Sequence, residues 1–164
     1  MKKYAAHYLF PVVEKPIAKG IVKVDQSGLI VEIINPDRHL EEEAGMEFHN
    51  GIICPAFVNV YTEFEPVRFY RKFQVLKEFE KVRPARVSTE KDLLNWITAI
   101  QMKSNKLSLN QLIRIFTLDA AQAISLDKEL GSLKVGKRPG LMLISGMDYQ
   151  NLRLTENSHL KRLI

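Results

Sequence analysis

Residues 51–63 read Gly51-Ile52-Ile53-Cys54-Pro55-Ala56-Phe57-Val58-Asn59-Val60-Tyr61-Thr62-Glu63. The part from Gly51 to Val60 is apolar with Pro55 inside it. Proline cannot donate to a strand ladder, so the run suits an edge strand or a strand running into a loop. Upstream, Tyr4–Phe10 and Gly20–Asp25 are short, apolar and partly β-branched, and read as strands. Asp25-Gln26-Ser27-Gly28 is a turn signal and Leu29–Ile34 the return strand of a hairpin, ended by Asn35-Pro36-Asp37. Glu41-Glu42-Glu43 reads as a solvated loop or acidic turn.

Downstream the period changes from two to 3.6. Pro66 suits the first turn of a helix running to about Val82, where Pro84 stops it. Thr89-x-x-Asp92 is a capping box before Glu90–Ser104, and Ser108-x-x-Gln111 is one before Leu109, Leu112, Ile113 and Phe116. Thr117 or Asp119 is expected to start a further short helix through Ala120, Ala121 and Ile124. Strands then return: Gly131–Lys137 as a strand and turn, Gly140–Ser145 as an apolar strand, and Leu160–Ile164 as a last one. The pattern predicts an α+β fold, with strand-rich ends around a middle of three to four helices.

The chain of 164 residues carries 24 Lys+Arg and 19 Asp+Glu, a net charge of +5. At 46% apolar and 26% charged it has the composition of a globular protein. It has no apolar run of about 20 residues for a membrane span and no signal-peptide pattern. Its one cysteine, Cys54, excludes an internal disulfide framework. A cytoplasmic location is the expectation. The charge is uneven: residues 1–64 balance at −3 and residues 65–164 at +8. Arg68, Arg71, Lys72, Lys77, Lys81, Arg83 and Arg86 cluster with Phe69, Tyr70, Phe73 and Phe79. Cations with interleaved aromatics suit phosphates and bases. The competing reading is an amphipathic helix, since Phe69, Phe73, Leu76 and Phe79 fall on one stripe.

Chemistry read residue by residue yields no active site. His7, His39, His49 and His159 have no i, i+2 or i, i+4 pairing that would make a local metal site. Cys54 sits in an apolar run, where a thiol behaves as a small hydrophobe. Glu63 and Glu65 would share one side of a strand. Gly131, Gly136 and Gly140 lack the Gly-Lys-Ser/Thr ending of a phosphate loop.

Two segments together resemble the amidohydrolase superfamily. Residues 51–63 are similar to its first-strand signature, Pro-Gly-Phe-Val-Asn-Ala-His-Thr-His. Leu107–Arg114, with Thr117, Ala120, Ala121 and Ala123, looks like its closing helix. Gly131-Ser132-Leu133-Lys134-Val135-Gly136-Lys137-Arg138-Pro139-Gly140-Leu141-Met142-Leu143-Ile144 is similar to its Gly-Ser-Leu-x-x-Gly-Lys-x-Ala-Asp-Leu-Val-Leu-Ile ending. The nearest flavour is the chlorohydrolase and nucleoside-deaminase branch. The resemblance implies a small β-sandwich built from N- and C-terminal strands, attached to a metal-binding barrel. It divides the chain into 1–64 (first sandwich strands), 65–126 (a helical segment in place of the barrel) and 127–164 (closing strands).

The departures fall where the chemistry would be. The two histidines that hold a catalytic divalent metal in the family correspond here to Tyr61 and Glu63. A phenol with a pKa of about 10 is a poor ligand at neutral pH, and one carboxylate does not hold a metal alone. Ala56 replaces a glycine and Gly140 an aspartate. Only 25 residues separate Glu63 from Thr89, where a complete barrel needs most of its roughly 250. The resemblance therefore implies a family member with its TIM barrel largely deleted, without cofactor and without catalysis. Phe69, Phe73, Leu93, Trp96, Ile97 and Ile100, helix faces with no barrel to cover, are expected to pack on each other, on the sandwich, or across a homodimer interface. A dimerising or partner-binding module is the leading expectation, a full-length amidohydrolase being one partner. The alternatives are a hydrolase of C–N or C–Cl bonds using a divalent metal such as zinc (or an accessory subunit of one), and nucleic-acid binding through the basic cluster.

Overall fold

The computed structural model describes residues 1–36, 44–60 and 74–164. Seven strands form one mixed sheet: β1 (Lys2–Leu9), β2 (Ile17–Ala18), β3 (Ile21–Val24), β4 (Ile30–Ile34), β5 (Met46–Pro55), β6 (Leu141–Ser145) and β7 (His159–Arg162). The order is β4-β3-β1-β5-β6-β7, with β2 paired to β1. Only the β1–β5 pairing is parallel. The expected union of N- and C-terminal strands is made at one seam, where Ile53 of β5 lies opposite Leu143 of β6.

The sheet curls until its outer strands approach each other. Ile30, at the start of β4, donates its amide to the Lys137 carbonyl and accepts from Gly136 N–H, both at 2.9 Å. On the far side, the Ile164 side chain beyond β7 reaches Gly28. This curl encloses one core of Tyr4, Leu9, Val22, Ile30, Ile53 and Leu143. The other face carries the larger core, where Ile52, Cys54, Met142 and Ile144 meet the helices. Neighbouring residues of β6 and of the second half of β5, Gly51–Pro55, thus point into different cores, which is why these stretches read as apolar runs. Of the two readings of Gly51–Val60, the strand running into a loop holds. β5 is central, and Pro55 is its last residue, where a missing N–H does least harm.

The helical part follows its capping signals. Helix α1 (Glu90–Lys103) begins with Thr89 Oγ1 accepting from Asp92 N–H at 3.1 Å, and the Asp92 carboxylate accepting from Thr89 N–H at 2.8 Å. Helix α2 (Leu109–Arg114) begins with the same reciprocal box between Ser108 and Gln111. A 3₁₀ helix, Gln74–Val82, ends where Pro84 was expected to end it; the first part of that expected helix, and Glu41–Glu43, lie outside the described residues. No helix among the described residues is long and apolar enough to cross a membrane.

One local reading is refined and one corrected. The expected short helix is present, with Asp119 at its N-cap position, but its start is not made by a side-chain cap. The chain leaves α2 through a π-helical turn, Ile115–Asp119, into α3 (Ala120–Ala123). Thr117 Oγ1 donates back to the Ile113 carbonyl at 2.7 Å, and Asp119 pairs with Arg114 at 3.3 Å, so neither side chain caps. Residues 131–137 contain no strand. Gly131 (φ +80°) and Gly136 (φ +88°) take left-handed conformations that break an extended ladder. The Lys137 ammonium holds the resulting loop by donating to the carbonyl of Asp127 and to Ser132 Oγ at 2.8 Å.

Three half-buried aspartates organise turns or a helix start: Asp25 through the Ser27 hydroxyl, Asp92 through the Ser88 N–H, and Asp148 through the Asn151 amide. Each of these bonds favours the carboxylate, and all three carboxyls titrate below their ordinary value of 3.8. Depressed folded values mean that their stabilisation is complete above the unfolded pKa and is lost as pH falls through the folded one. The urea midpoint should therefore gain nothing from these groups between pH 7 and 5 and drop below about pH 4. The drop should be smaller in the Asp92→Asn variant.

Candidate functional site

The C-terminal end of β5 is where the family signature places its chemistry. Each residue leaving the strand is held by a different element. Phe57 N–H lies 3.3 Å from the Met142 sulfur of β6. Val58 N–H donates to the Phe116 carbonyl at 2.9 Å. The π-helical turn takes this carbonyl out of regular α-helical spacing, so the turn serves to anchor the exit of β5. Asn59 Nδ2 donates to the Val87 carbonyl at 3.4 Å, and Val60 is buried. Tyr61 and Glu63, which follow, lie outside the described residues, as does Glu65.

The described side chains nearby are a cysteine and three histidines, each in its own surroundings. Cys54 is fully buried, and burial, with a smaller effect from Glu90, pushes its thiol far above the ordinary range, which disfavours the thiolate. His7 packs between Phe48 and Tyr149 at ring distances of 5.5 and 5.0 Å. His49 stacks on Tyr4 and lies 3.6 Å from Glu47. His159 sits on β7, its Nδ1 3.1 Å from the Asn157 carbonyl. Among the described residues no three His, Cys, Asp or Glu side chains gather closely enough to hold a metal ion.

The apolar stripe of α1 takes two of its three expected destinations, the sheet and the neighbouring helix. Leu93, Trp96, Ile97 and Ile100 are 0–1% exposed, sealed in the larger core. The Trp96 ring meets Phe116 edge-on at 5.3 Å. These four side chains are therefore not an open interaction face: the sandwich sheet and α2 already cover them. Phe69 and Phe73 lie outside the described residues.

Of the basic cluster, Lys77, Lys81 and Arg86 are exposed, and Arg83 lies 5.7 Å over the Trp96 ring. Leu76 and Phe79 are buried beneath them. The described part thus matches an amphipathic segment whose apolar side packs and whose charges face water. Arg68, Arg71 and Lys72 lie outside the described residues.

One feature escaped the sequence reading. A cleft of about 880 Å³ opens between the β1–β2 loop, the α1–α2 turn and the β6–β7 loop. Pro11 and Pro16, which bracket the first of these loops, were the available signal.

A family model for the amidohydrolase family matches residues 78–162, just over half of the chain. No curated protein matches it.

Proposed function

The chain belongs to the amidohydrolase family, and from that premise we propose that it is a non-catalytic member, a partner-binding module built on the family's sandwich. One observation carries the reading. Between Pro55, the last residue of β5, and Glu90, the first of α1, there are 34 residues. That interval has no room for the βα units of a barrel of about 250 residues. Tyr61 and Glu63 at the positions of the family's metal-binding histidines support the same conclusion.

Metal content tests it. The purified chain, incubated with zinc and desalted, should retain far less than one ion per chain by elemental analysis, with an unchanged Tm. One retained zinc per chain, with hydrolysis of a C–N or C–Cl substrate that a chelator abolishes, would sink the proposal.

A further inference from the structure

Strand β5 is paired unevenly. On one side it lies along β1 from Met46 to Ile53. On the other, β6 pairs with it only from Ile52 to Pro55. β6 stops at Ser145, and Gly146 (φ +72°) takes the chain out of the sheet toward the larger core, where Met147 is buried. Among the described residues, Met46–Asn50 therefore has no strand partner on its β6 side. The outer strands are more closed. Ile30 of β4 already bonds to Gly136 and Lys137, and Arg162 of β7 to Glu90 of α1.

This half-strand lacks the lysine or proline that ordinarily blunts an edge. Phe48, at its middle, is 44% exposed. The sequence around it is complementary to its own reverse: Gly45-Met46-Glu47-Phe48-His49-Asn50-Gly51. Laid antiparallel on a second copy about Phe48, it sets Glu47 opposite His49, Met46 opposite Asn50 and Phe48 opposite itself. Directly opposed residues share a face of the sheet and are the pairs that stabilise it. Glu47 and His49 already lie 3.6 Å apart within one chain, on the face where His49 stacks on Tyr4. Across the seam, two acids and two bases would alternate. The two Phe48 rings meet on the opposite face, each beside its own His7. At the ends Gly45 falls opposite Gly51, where a Cβ would lie 2.3 Å from the Ile144 carbonyl oxygen of β6. β4 has no such complementarity, since an antiparallel copy sets Glu32 against itself or an apolar residue.

We propose that Met46–Asn50 is the seam of a two-fold dimer, with β5 pairing antiparallel to β5 of a second copy and Phe48 on the axis. The dimer deepens the partner-binding reading, on which its use rests, and is tested apart from it: zinc content reads the one and mass the other. A five-residue seam is smaller than the about 1,200 Å² of a stable interface, so association belongs at high concentration. In sedimentation equilibrium of the full chain from about 10 µM to about 1 mM, the average mass should climb from one chain toward two. Phe48→Lys and Phe48→Glu each set like charges face to face, and each alone should weaken association at least about tenfold. Mixed in equal amounts they should associate again, because only a residue that faces its own copy is rescued this way. A wild-type chain that stays monomeric, association unchanged in both variants, or a mixture that stays monomeric while each variant keeps the wild-type Tm would each overturn the seam. Should either charge unfold the chain, Phe48→Cys with oxidised glutathione asks the same question, Cys54 being buried. A disulfide-linked dimer is expected there and not for Val31→Cys on β4. No crosslink at residue 48, or an equal one at residue 31, would overturn the proposal.

Discussion

Trp96→Ala should lower the stability of the chain by about 3–5 kcal/mol, the range for emptying a large aromatic site in a packed core. The argument rests on where the ring sits. Trp96 is among the largest fully buried side chains, on the stripe of α1 that also buries Leu93, Ile97 and Ile100. Its removal would cost the edge contact with Phe116 and the Arg83 guanidinium above the ring. Urea unfolding reads the loss, and light scattering reads the mass. A core tryptophan shifts the first and leaves the second alone. An interface tryptophan would do the reverse, and a stability change under about 1 kcal/mol with an altered mass would return α1 to the surface. Should the alanine variant fail to fold, Ile97→Val, expected to cost about 0.5–1.5 kcal/mol, asks the same question gently.

Gly131→Ala should cost about 2–5 kcal/mol, and the neighbouring Gly136→Ala much less. Both glycines have left-handed φ, so an alanine at either pays about 1–2 kcal/mol for that conformation. Their surroundings differ. A Cβ at Gly131 would lie 2.7 Å from Leu118 Cα and 2.9 Å from the Thr117 carbonyl oxygen, both backbone atoms of the π-helical turn. A Cβ at Gly136 would meet nothing within 4 Å. Overpacking of about 1–3 kcal/mol therefore falls on Gly131 alone. Equal losses in the two urea curves would mean that the loop does not press on the turn as described.

Much of the architecture was legible because it rests on local chemistry. Both capping boxes were visible as Thr89-x-x-Asp92 and Ser108-x-x-Gln111, and each side chain bonds as its type requires. The hairpin turn at Asp25–Gly28 likewise follows from a carboxylate accepting from Ser27 and Leu29. What failed was set by distant parts of the chain. Residues 131–137 have strand-like composition, but Leu133 N–H is claimed by the Pro11 carbonyl and Gly136 N–H by Ile30. Thr117 and Asp119 are good capping types, yet the helix before them was already formed, and their side chains bond backwards. The stripe of α1 was correctly read as apolar, but only the fold reveals that the sheet covers it. At the candidate site, the resemblance alone sets Tyr61 and Glu63 at the positions of the family's histidines, and both lie outside the described residues. The cleft of about 880 Å³ was not legible in the sequence, because its lining comes from the β1–β2 loop, α2 and the β6–β7 loop with no motif between them.

The placement of β5 at the centre of the sheet has a consequence for how the molecule is made. Its parallel partner β1 is synthesised before it, but Ile53 must wait for Leu143 to complete the seam. During translation the β6-facing side of β5 therefore stays unpaired while the helices emerge, an open template for pairing with another chain. Folding to the final sheet is correspondingly a slow, late event, gated by contacts far apart in sequence. The nascent chain is therefore expected to be open to mispairing at β5 until β6 has left the ribosome.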